Sequence, residues 1–160
     1  MTKQPAHKLF KLSDPVQFLA VGFGSGLAPK APGTFGTLAA IPIYLLMALY
    51  LFPAAYLAIT ILVSVLGIWI CDKAAKDVNV HDHPAIVWDE IAGFLITMAF
   101  VPLSLSNVLL GFVLFRIFDI FKPWPISIAD KKVHGGLGIM LDDVLAGVFA
   151  CLSLHLIISF

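Results

Sequence analysis

Five carboxylates lie at or near the ends of long apolar stretches of this sequence: Asp89, Glu90, Asp119, Asp142 and Asp143. If those stretches cross a membrane, acids at their ends indicate a functional site, since charged groups are costly there and acids contribute little to orientation. An alternative for Asp89 and Glu90 is that acids in a first helical turn only complement the helix dipole. The second acidic pair, in LDD, favours one shared site, and a set of oxygen ligands suits Mg²⁺.

A pair of basic residues accompanies the acids. Arg116 and Asp119 are three residues apart and Lys122 follows after three more, so a helix would place them on one face. An arginine and a lysine beside clustered carboxylates would clamp a phosphate next to a bound metal, which suits phosphoryl transfer or hydrolysis. The alternative is an ion pair between Arg116 and Asp119 that only tethers the helix.

A glycine-rich segment, GFGSGLAPKAPGTFGT at residues 22–37, precedes the first long apolar stretch. Glycine lets the backbone approach a phosphate closely, and Lys30 adds a positive charge. The spacing is not that of a P-loop, because Lys30 follows a proline and no strand precedes it. Glycines that pack helices together are the alternative interpretation.

Histidines are the other possible metal ligands. His81, Asp82 and His83 stand in VNVHDHPAIVWDE, shortly before Asp89. A zinc site needs three or four converging ligands, and no second cluster of Cys or His completes this one, so zinc is disfavoured. His155 lies inside the last apolar stretch, where a hydrogen-bonded core histidine is the expected role.

The composition predicts that membrane helices position these residues. Of the 160 residues, 60% are hydrophobic and 12% are charged, against about 45–50% and about 25% in soluble domains. Ten basic and ten acidic residues give zero formal charge, so nucleic acid is not an expected partner.

The cysteines and the N-terminus give two further predictions. Cys71 and Cys151 stand alone in apolar runs and should be free thiols. The N-terminus is polar and lacks the apolar core of a cleaved signal peptide.

The apolar pattern predicts an all-α integral membrane bundle of about four to five transmembrane helices, near residues 38–52, 54–71, 86–101, 107–121 and 141–160. The uncharged stretch 38–71 would be about 51 Å long as one helix, against a hydrocarbon core of about 30 Å. Pro53 near its middle favours a hairpin, and one long kinked helix is the alternative. The Gly/Pro-rich N-terminal segment is expected to be irregular or re-entrant.

Five crossings would gather the charges on one side of the membrane. The loops on that side, with their edges, contain Lys3, Lys8, Lys11, Lys30, Lys73, Lys76, Lys122, Lys131 and Lys132. Positive residues that flank short spans mark the cytoplasmic face. These loops are therefore predicted to be cytoplasmic, and the turn near Pro102 is predicted to lie across the membrane.

Four segments follow one another between Gly22 and Gly147: GFGSGLAPKAPGTFGT, IVWDEIAGF, FRIFDIFKPWPI and GGLGIMLDDVLAG. In this order they resemble the motifs of the phosphatidylglycerophosphatase A family, which are lipid phosphatases of the bacterial inner membrane. The resemblance implies Mg²⁺-dependent hydrolysis of phosphatidylglycerol phosphate to phosphatidylglycerol and phosphate. It also implies that residues 1–160 form a single membrane-embedded phosphatase domain with its active site on the cytoplasmic side.

The resemblance assigns roles by motif. The implied catalytic residues are Asp89, Glu90, Asp119, Asp142 and Asp143. The implied metal ligands are Asp89, Glu90, Asp142 and Asp143, with Asp82 from the HDHP loop. The implied phosphate-binding residues are Lys30, Thr34, Arg116 and Lys122.

Two other functions stay open from the sequence. One is a phosphatase for another lipid phosphate, such as phosphatidic acid. The other is a small non-enzymatic membrane subunit for binding or transport, whose site would lie at mid-depth between interrupted helices. The predicted gathering of charges at one face favours an enzyme whose lipid substrate keeps its phosphate at the membrane surface.

Overall fold

The structure is a computed structural model that describes residues 6–159, and every regular element in that range is helical. Two short helices, α1 (Ala6–Leu9) and α2 (Pro15–Ala20), precede a 3-10 segment at Gly22–Leu27. The other helices are α3 (Pro32–Tyr50), α4 (Pro53–Asp77), α5 (Trp88–Thr97), α6 (Leu105–Phe121), α7 (Ile126–Lys132) and α8 (Gly135–Ile158). Lys3, one of the lysines used to predict orientation, lies outside the described residues.

The N-terminal glycine-rich segment is irregular, as predicted. Within Gly22–Leu27, Phe23 and Gly24 take left-handed backbone conformations, with φ of 60° and 97°. These two residues interrupt the helical geometry and turn the chain toward the start of α3. The all-α class and the irregular segment are therefore both confirmed.

Three helices are long and apolar enough to cross a membrane by themselves: α3, α4 and α8. Their outer faces carry large exposed apolar side chains, among them Leu46 and Leu49 on α3, Trp69 on α4 and Leu152 on α8. Because water would not tolerate so much apolar surface, these faces are lipid-facing. The chain is an integral membrane protein.

A hairpin joins α3 to α4, as Pro53 indicated. Leu51 and Phe52 are extended, with ψ of 141° and 157°, and α4 begins at Pro53. The missing N–H of a proline is harmless in a first turn, so Pro53 starts the second helix. The alternative of one long kinked helix is wrong.

A second hairpin, α5 to α6, is built from shorter helices. The 10 residues of α5 span about 15 Å and the 17 residues of α6 about 26 Å. Phe100 and Leu103 of their turn line the same cavity of about 130 Å³ as Leu51 and Pro53 of the first hairpin. The two turns therefore lie at the same end of the bundle, and α5 and α6 accompany the three helices that are long enough to span.

The predicted start of the last span is wrong. α8 begins at Gly135, not near residue 141, because its first free N–H groups find acceptors there. His81 Nε2 accepts from Gly135 N at 3.0 Å, and Asp72 Oδ1 accepts from Gly136 N at 3.2 Å. Asp142 and Asp143 consequently lie about two turns, or about 11 Å, inside the helix rather than at its entrance.

The charged end of α4 is also helical, although the prediction ended this span at residue 71. Lys73 pairs with Asp77 at 2.9 Å, and Lys76 pairs with Asp72 at 2.6 Å. Such i,i+4 pairs stabilise a solvated helical end, so the helix continues to Asp77 beyond its apolar part. Helix α5, in contrast, is shorter than predicted, because the last residues of the predicted span form the turn that follows Thr97.

A close contact between glycines sets the distance between α5 and α8. A Cβ added to Gly147 would lie 2.5 Å from the carbonyl oxygen of Gly93. The Thr97 hydroxyl lies at the same contact, since it donates to the carbonyl of Gly93 at 2.9 Å within α5 and lies 3.5 Å from the carbonyl oxygen of Gly147 on α8. The two cysteines take no part in a disulfide, as predicted; Cys71 is buried and Cys151 is half-buried.

Candidate active site

Three carboxylates from α5 and α8 meet at one end of the bundle. One ligand atom each from Asp89, Glu90 and Asp143 lies within 4.8 Å of the other two. Asp89 is only 9% exposed and Asp143 only 3%. The cluster exists because Asp89 precedes Gly93 by one helical turn and Asp143 precedes Gly147 by one turn, so the glycine contact holds the acids together.

Each acid of this cluster has one buried oxygen without a hydrogen-bond donor. Buried atoms with no hydrogen-bond partner among residues 6–159 include Asp89 Oδ1, Glu90 Oε2, Asp142 Oδ1 and Asp143 Oδ2. Leaving buried acceptors unsatisfied, and acids side by side, is unfavourable unless a bound cation or a proton neutralises them. An all-oxygen set of this kind fits a hard divalent ion such as Mg²⁺.

Arg116 of α6 places a guanidinium beside the cluster. Its Nη1 lies 2.5 Å from Asp119 Oδ2 and 3.8 Å from Glu90 Oε1, and the side chain is largely buried. Its Nε has no hydrogen-bond partner among the described residues. The ion pair between Arg116 and Asp119, which the sequence left as the alternative to a phosphate clamp, is therefore present, and it leaves the Nε donor available to a phosphate.

Lys122 reaches the site from beyond the end of α6. The helix ends at Phe121, and Lys122 takes a left-handed conformation with φ of 43°, so it does not continue the helical face of Arg116 as predicted. Its ammonium forms an ion pair with Asp142 and another, at 2.5 Å, with Asp130. Burial lowers the pKa of Lys122, but the hydrogen bonds to Asp130 and Asp142 outweigh it and hold the pKa above its usual value.

One cavity of about 270 Å³ unites most of the residues that the sequence singled out. Its walls include Asp82, Asp89, Glu90, Arg116, Asp119, Lys122, Asp142 and Asp143. The volume is several times the roughly 30 Å³ that a water molecule occupies in the liquid, which leaves room for a phosphoryl group and an ion. The cavity therefore joins the acidic and the basic residues, as the hypothesis of a shared site requires.

The start of α3 forms another wall of the cavity. A Cβ on Gly33 would overlap Glu90 Oε1 and lie 3.1 Å from Arg116 Nη1. Glycine at this position therefore lets the backbone approach the site directly. Lys30 is exposed and Thr34 is half-buried, and neither belongs to the cavity wall; their binding of phosphate stays a prediction.

Asp130 is a contact that sequence reasoning missed. It lies on α7, eight residues after Lys122, and its carboxylate forms an ion pair with the Lys122 ammonium, as that of Asp142 does. In the sequence it is one acid in the charged run ADKK, which is typical of a solvated loop. Only the turn after α6 brings it to Lys122.

The fold and the cavity together define a membrane-embedded enzyme that acts on a phosphate group. Comparison with known proteins gives the family: the sequence model of phosphatidylglycerophosphatase A matches residues 18–158. The chain belongs to the phosphatidylglycerophosphatase A family, as the resemblance indicated, and it is a phosphatase.

Individual relatives agree with this assignment. The Escherichia coli K12 protein named phosphatidylglycerophosphatase A is 48% identical over 98% of this chain and 94% of its own length. The Haemophilus influenzae protein of the same name is 46% identical, over 94% of this chain and 93% of its own length. A Bacteroides thetaiotaomicron protein with the provisional name of phosphatidylinositol-3-phosphatase is 38% identical over 82% of this chain and 86% of its own length. No solved structure matches the chain.

Proposed function

We propose that this protein hydrolyses the terminal phosphomonoester of phosphatidylglycerol phosphate to phosphatidylglycerol and inorganic phosphate, and that the reaction requires Mg²⁺. Two relatives of nearly half-identical sequence carry the corresponding name. The observation that carries the proposal is the set of buried carboxylate oxygens without donors, beside an arginine whose Nε donor is unused. Metal-assisted hydrolysis of a phosphomonoester uses a cation and a clamp of this kind to stabilise the charge of the transferred phosphoryl group.

Asp89, Glu90 and Asp143 would hold the Mg²⁺, because their ligand atoms already converge. Asp142 and Asp82 line the same cavity and are the further ligands we propose. When bound, Mg²⁺ supplies the positive charge that stabilises the transition state of phosphoryl transfer. The helices keep the three carboxylates close before the ion binds, so little rearrangement opposes binding.

Arg116 would bind the phosphoryl oxygens with its planar fork. Its Nε is buried and lacks a hydrogen-bond partner among the described residues, so it is free to donate to an oxygen of the phosphate. Asp119, 2.5 Å away, fixes the orientation of the guanidinium. Lys122, which lines the same cavity and pairs with Asp142, adds a second positive charge. Lys30 and Thr34 would meet the headgroup outside the cavity.

We also propose that the cavity faces the cytoplasm of a bacterial cell, at the inner membrane. Lys73 and Lys76 lie at the end of α4, and Lys131 and Lys132 lie on α7. All four belong to the same end of the bundle as the acidic cavity, since α4 ends and α8 begins there. Positive residues next to short spans favour the cytoplasmic side.

The experiment that tests this proposal is phosphate release by the purified protein in mixed micelles. Phosphatidylglycerol phosphate should be the preferred substrate, against phosphatidic acid and phosphatidylinositol 3-phosphate. The last compound is included because one relative is named for it. If the protein releases phosphate faster from either competing lipid, that lipid is the substrate instead. If it releases phosphate from none of the three lipids, the alternative of a binding or transport subunit is favoured.

Asp143→Asn and Asp77→Asn provide a matched pair for this assay. Both changes remove one negative charge, but Asp143 belongs to the acidic cluster and Asp77 forms a solvated pair with Lys73. The first variant should lose about 100-fold or more of the activity, which is the scale expected for a metal ligand. The second should keep it.

A further inference from the structure

A group of exposed apolar side chains lies beside the cavity, on the chain between α6 and α8. Phe121 and Trp124 are each 77% exposed and Ile128 is 40% exposed. Ile120, which is 63% exposed, also belongs to the cavity wall. Large apolar side chains therefore continue from the cavity out to α7.

Helix α7 adds positive charge to this surface. Its residues Ile126 and Ala129 are buried, whereas Ile128, Lys131 and Lys132 are exposed. The last three share one face of the helix, because residues at i, i+3 and i+4 are neighbours. We call the surface formed by Phe121, Trp124, Ile128, Lys131 and Lys132 the α7 patch.

The two lysines of the α7 patch have no competing acid. Neither forms an ion pair with a carboxylate within the described range 6–159. The nearest acid in sequence, Asp130, is already paired with Lys122 at 2.5 Å. The surface is therefore both apolar and positively charged.

We propose that the α7 patch binds the headgroup layer of anionic phospholipids. Aromatic rings such as those of Phe121 and Trp124 are favoured where hydrocarbon meets the headgroups, and lysines beside them attract lipid phosphates. The segment begins where α6 ends and α8 starts again soon after it, so the membrane surface is the partner within reach. This contact fixes the height of the cavity at the bilayer surface, and it holds whichever lipid the enzyme hydrolyses.

The position of Trp124 is measured by fluorescence quenching in vesicles that contain phosphatidylglycerol. The difference between the spectra of the unchanged protein and of Trp124→Phe isolates the signal of Trp124. Lipids brominated near the headgroup should quench this signal more than lipids brominated near the chain end, and more than iodide in the water. Stronger quenching by iodide would place the patch in solution and overturn the proposal.

The role of the two positive charges of the α7 patch is tested with spin-labelled lipids in the same vesicles. Lys131→Gln combined with Lys132→Gln should lower the preference of the protein for labelled phosphatidylglycerol over labelled phosphatidylcholine by at least about twofold. Lys8→Gln combined with Lys11→Gln removes the same charge from exposed positions in the N-terminal segment and serves as the control. An unchanged preference in the first double variant, or an equal loss in both, would overturn the proposal. Neither measurement depends on phosphatase activity.

Discussion

The contact between Gly93 and Gly147 leads to the sharpest mutational prediction. Gly147→Ala adds a single methyl group one helical turn away from Asp143. Its carbon would lie 2.5 Å from the carbonyl oxygen of Gly93 and 3.1 Å from the Cβ of Ile96. Neither atom belongs to the flexible end of a side chain, so the helices themselves must move apart.

The size of the effect follows from these distances. Ordinary contact begins at 3.4 Å, so α5 and α8 must separate by about 0.9 Å at this point. Overpacking of this kind costs about 1–3 kcal/mol of stability. A displacement of about 1 Å in a catalytic arrangement lowers turnover by as much as about 100-fold. We expect Gly147→Ala to fold, to melt at a lower temperature and to lose at least about tenfold in turnover.

Gly111→Ala is the matched control, and phosphate release from phosphatidylglycerol phosphate is the assay. Its added carbon would also come within 2.5 Å of a neighbour, but that neighbour is the sulfur of Met98, whose side chain can rotate away. Turnover of this variant should stay within about twofold of normal, since no site residue moves. Normal turnover in Gly147→Ala, or an equal loss in both variants, would refute the view that the glycine contact positions the acids.

Three further predictions concern the basic side chains and the orientation. Arg116→Lys keeps the charge but loses the planar fork, so turnover should fall at least about tenfold with little change in melting temperature; normal turnover would remove Arg116 from phosphate binding. Asp130→Asn should raise the KM for the lipid phosphate several-fold while Asp130→Glu restores it, because Asp130 holds Lys122 in place; an unchanged KM would show that the pair is only structural. In a cysteine-free protein in intact cells, cysteines placed at Ser104 and at Lys131 should differ in labelling by a membrane-impermeant reagent, and equal labelling would contradict the orientation.

The membrane class and the hairpins could be predicted from the sequence because they depend on local properties. Pro53 interrupts an uncharged stretch that is too long for one crossing, and the structure has its first hairpin there. The acids at the start of α5 and those on α8 were assigned to one site because both pairs flank apolar stretches. The structure brings Asp89, Glu90 and Asp143 within a few ångströms of one another.

The depth and the partners of these residues depend on tertiary packing, so the sequence did not reveal them. The apolar pattern began the last span near its acids, whereas caps from His81 and Asp72 start α8 earlier and carry Asp143 deeper. Lys122 leaves its helix and joins Asp130 because α6 ends one residue before it. A glycine contact between helices, such as that of Gly147, has no local signature at all.

The dependence of phosphate release on Mg²⁺ tests the central claim most directly, namely that the buried carboxylates bind a divalent cation needed for hydrolysis of a lipid phosphate. Release from phosphatidylglycerol phosphate is measured as Mg²⁺ is titrated into metal-free protein, for the unchanged chain, Asp143→Asn and Asp77→Asn. We predict no release in EDTA, recovery with Mg²⁺, a curve displaced to higher Mg²⁺ in Asp143→Asn and an unchanged curve in Asp77→Asn. Full release in EDTA, or identical curves for all three proteins, would contradict the claim.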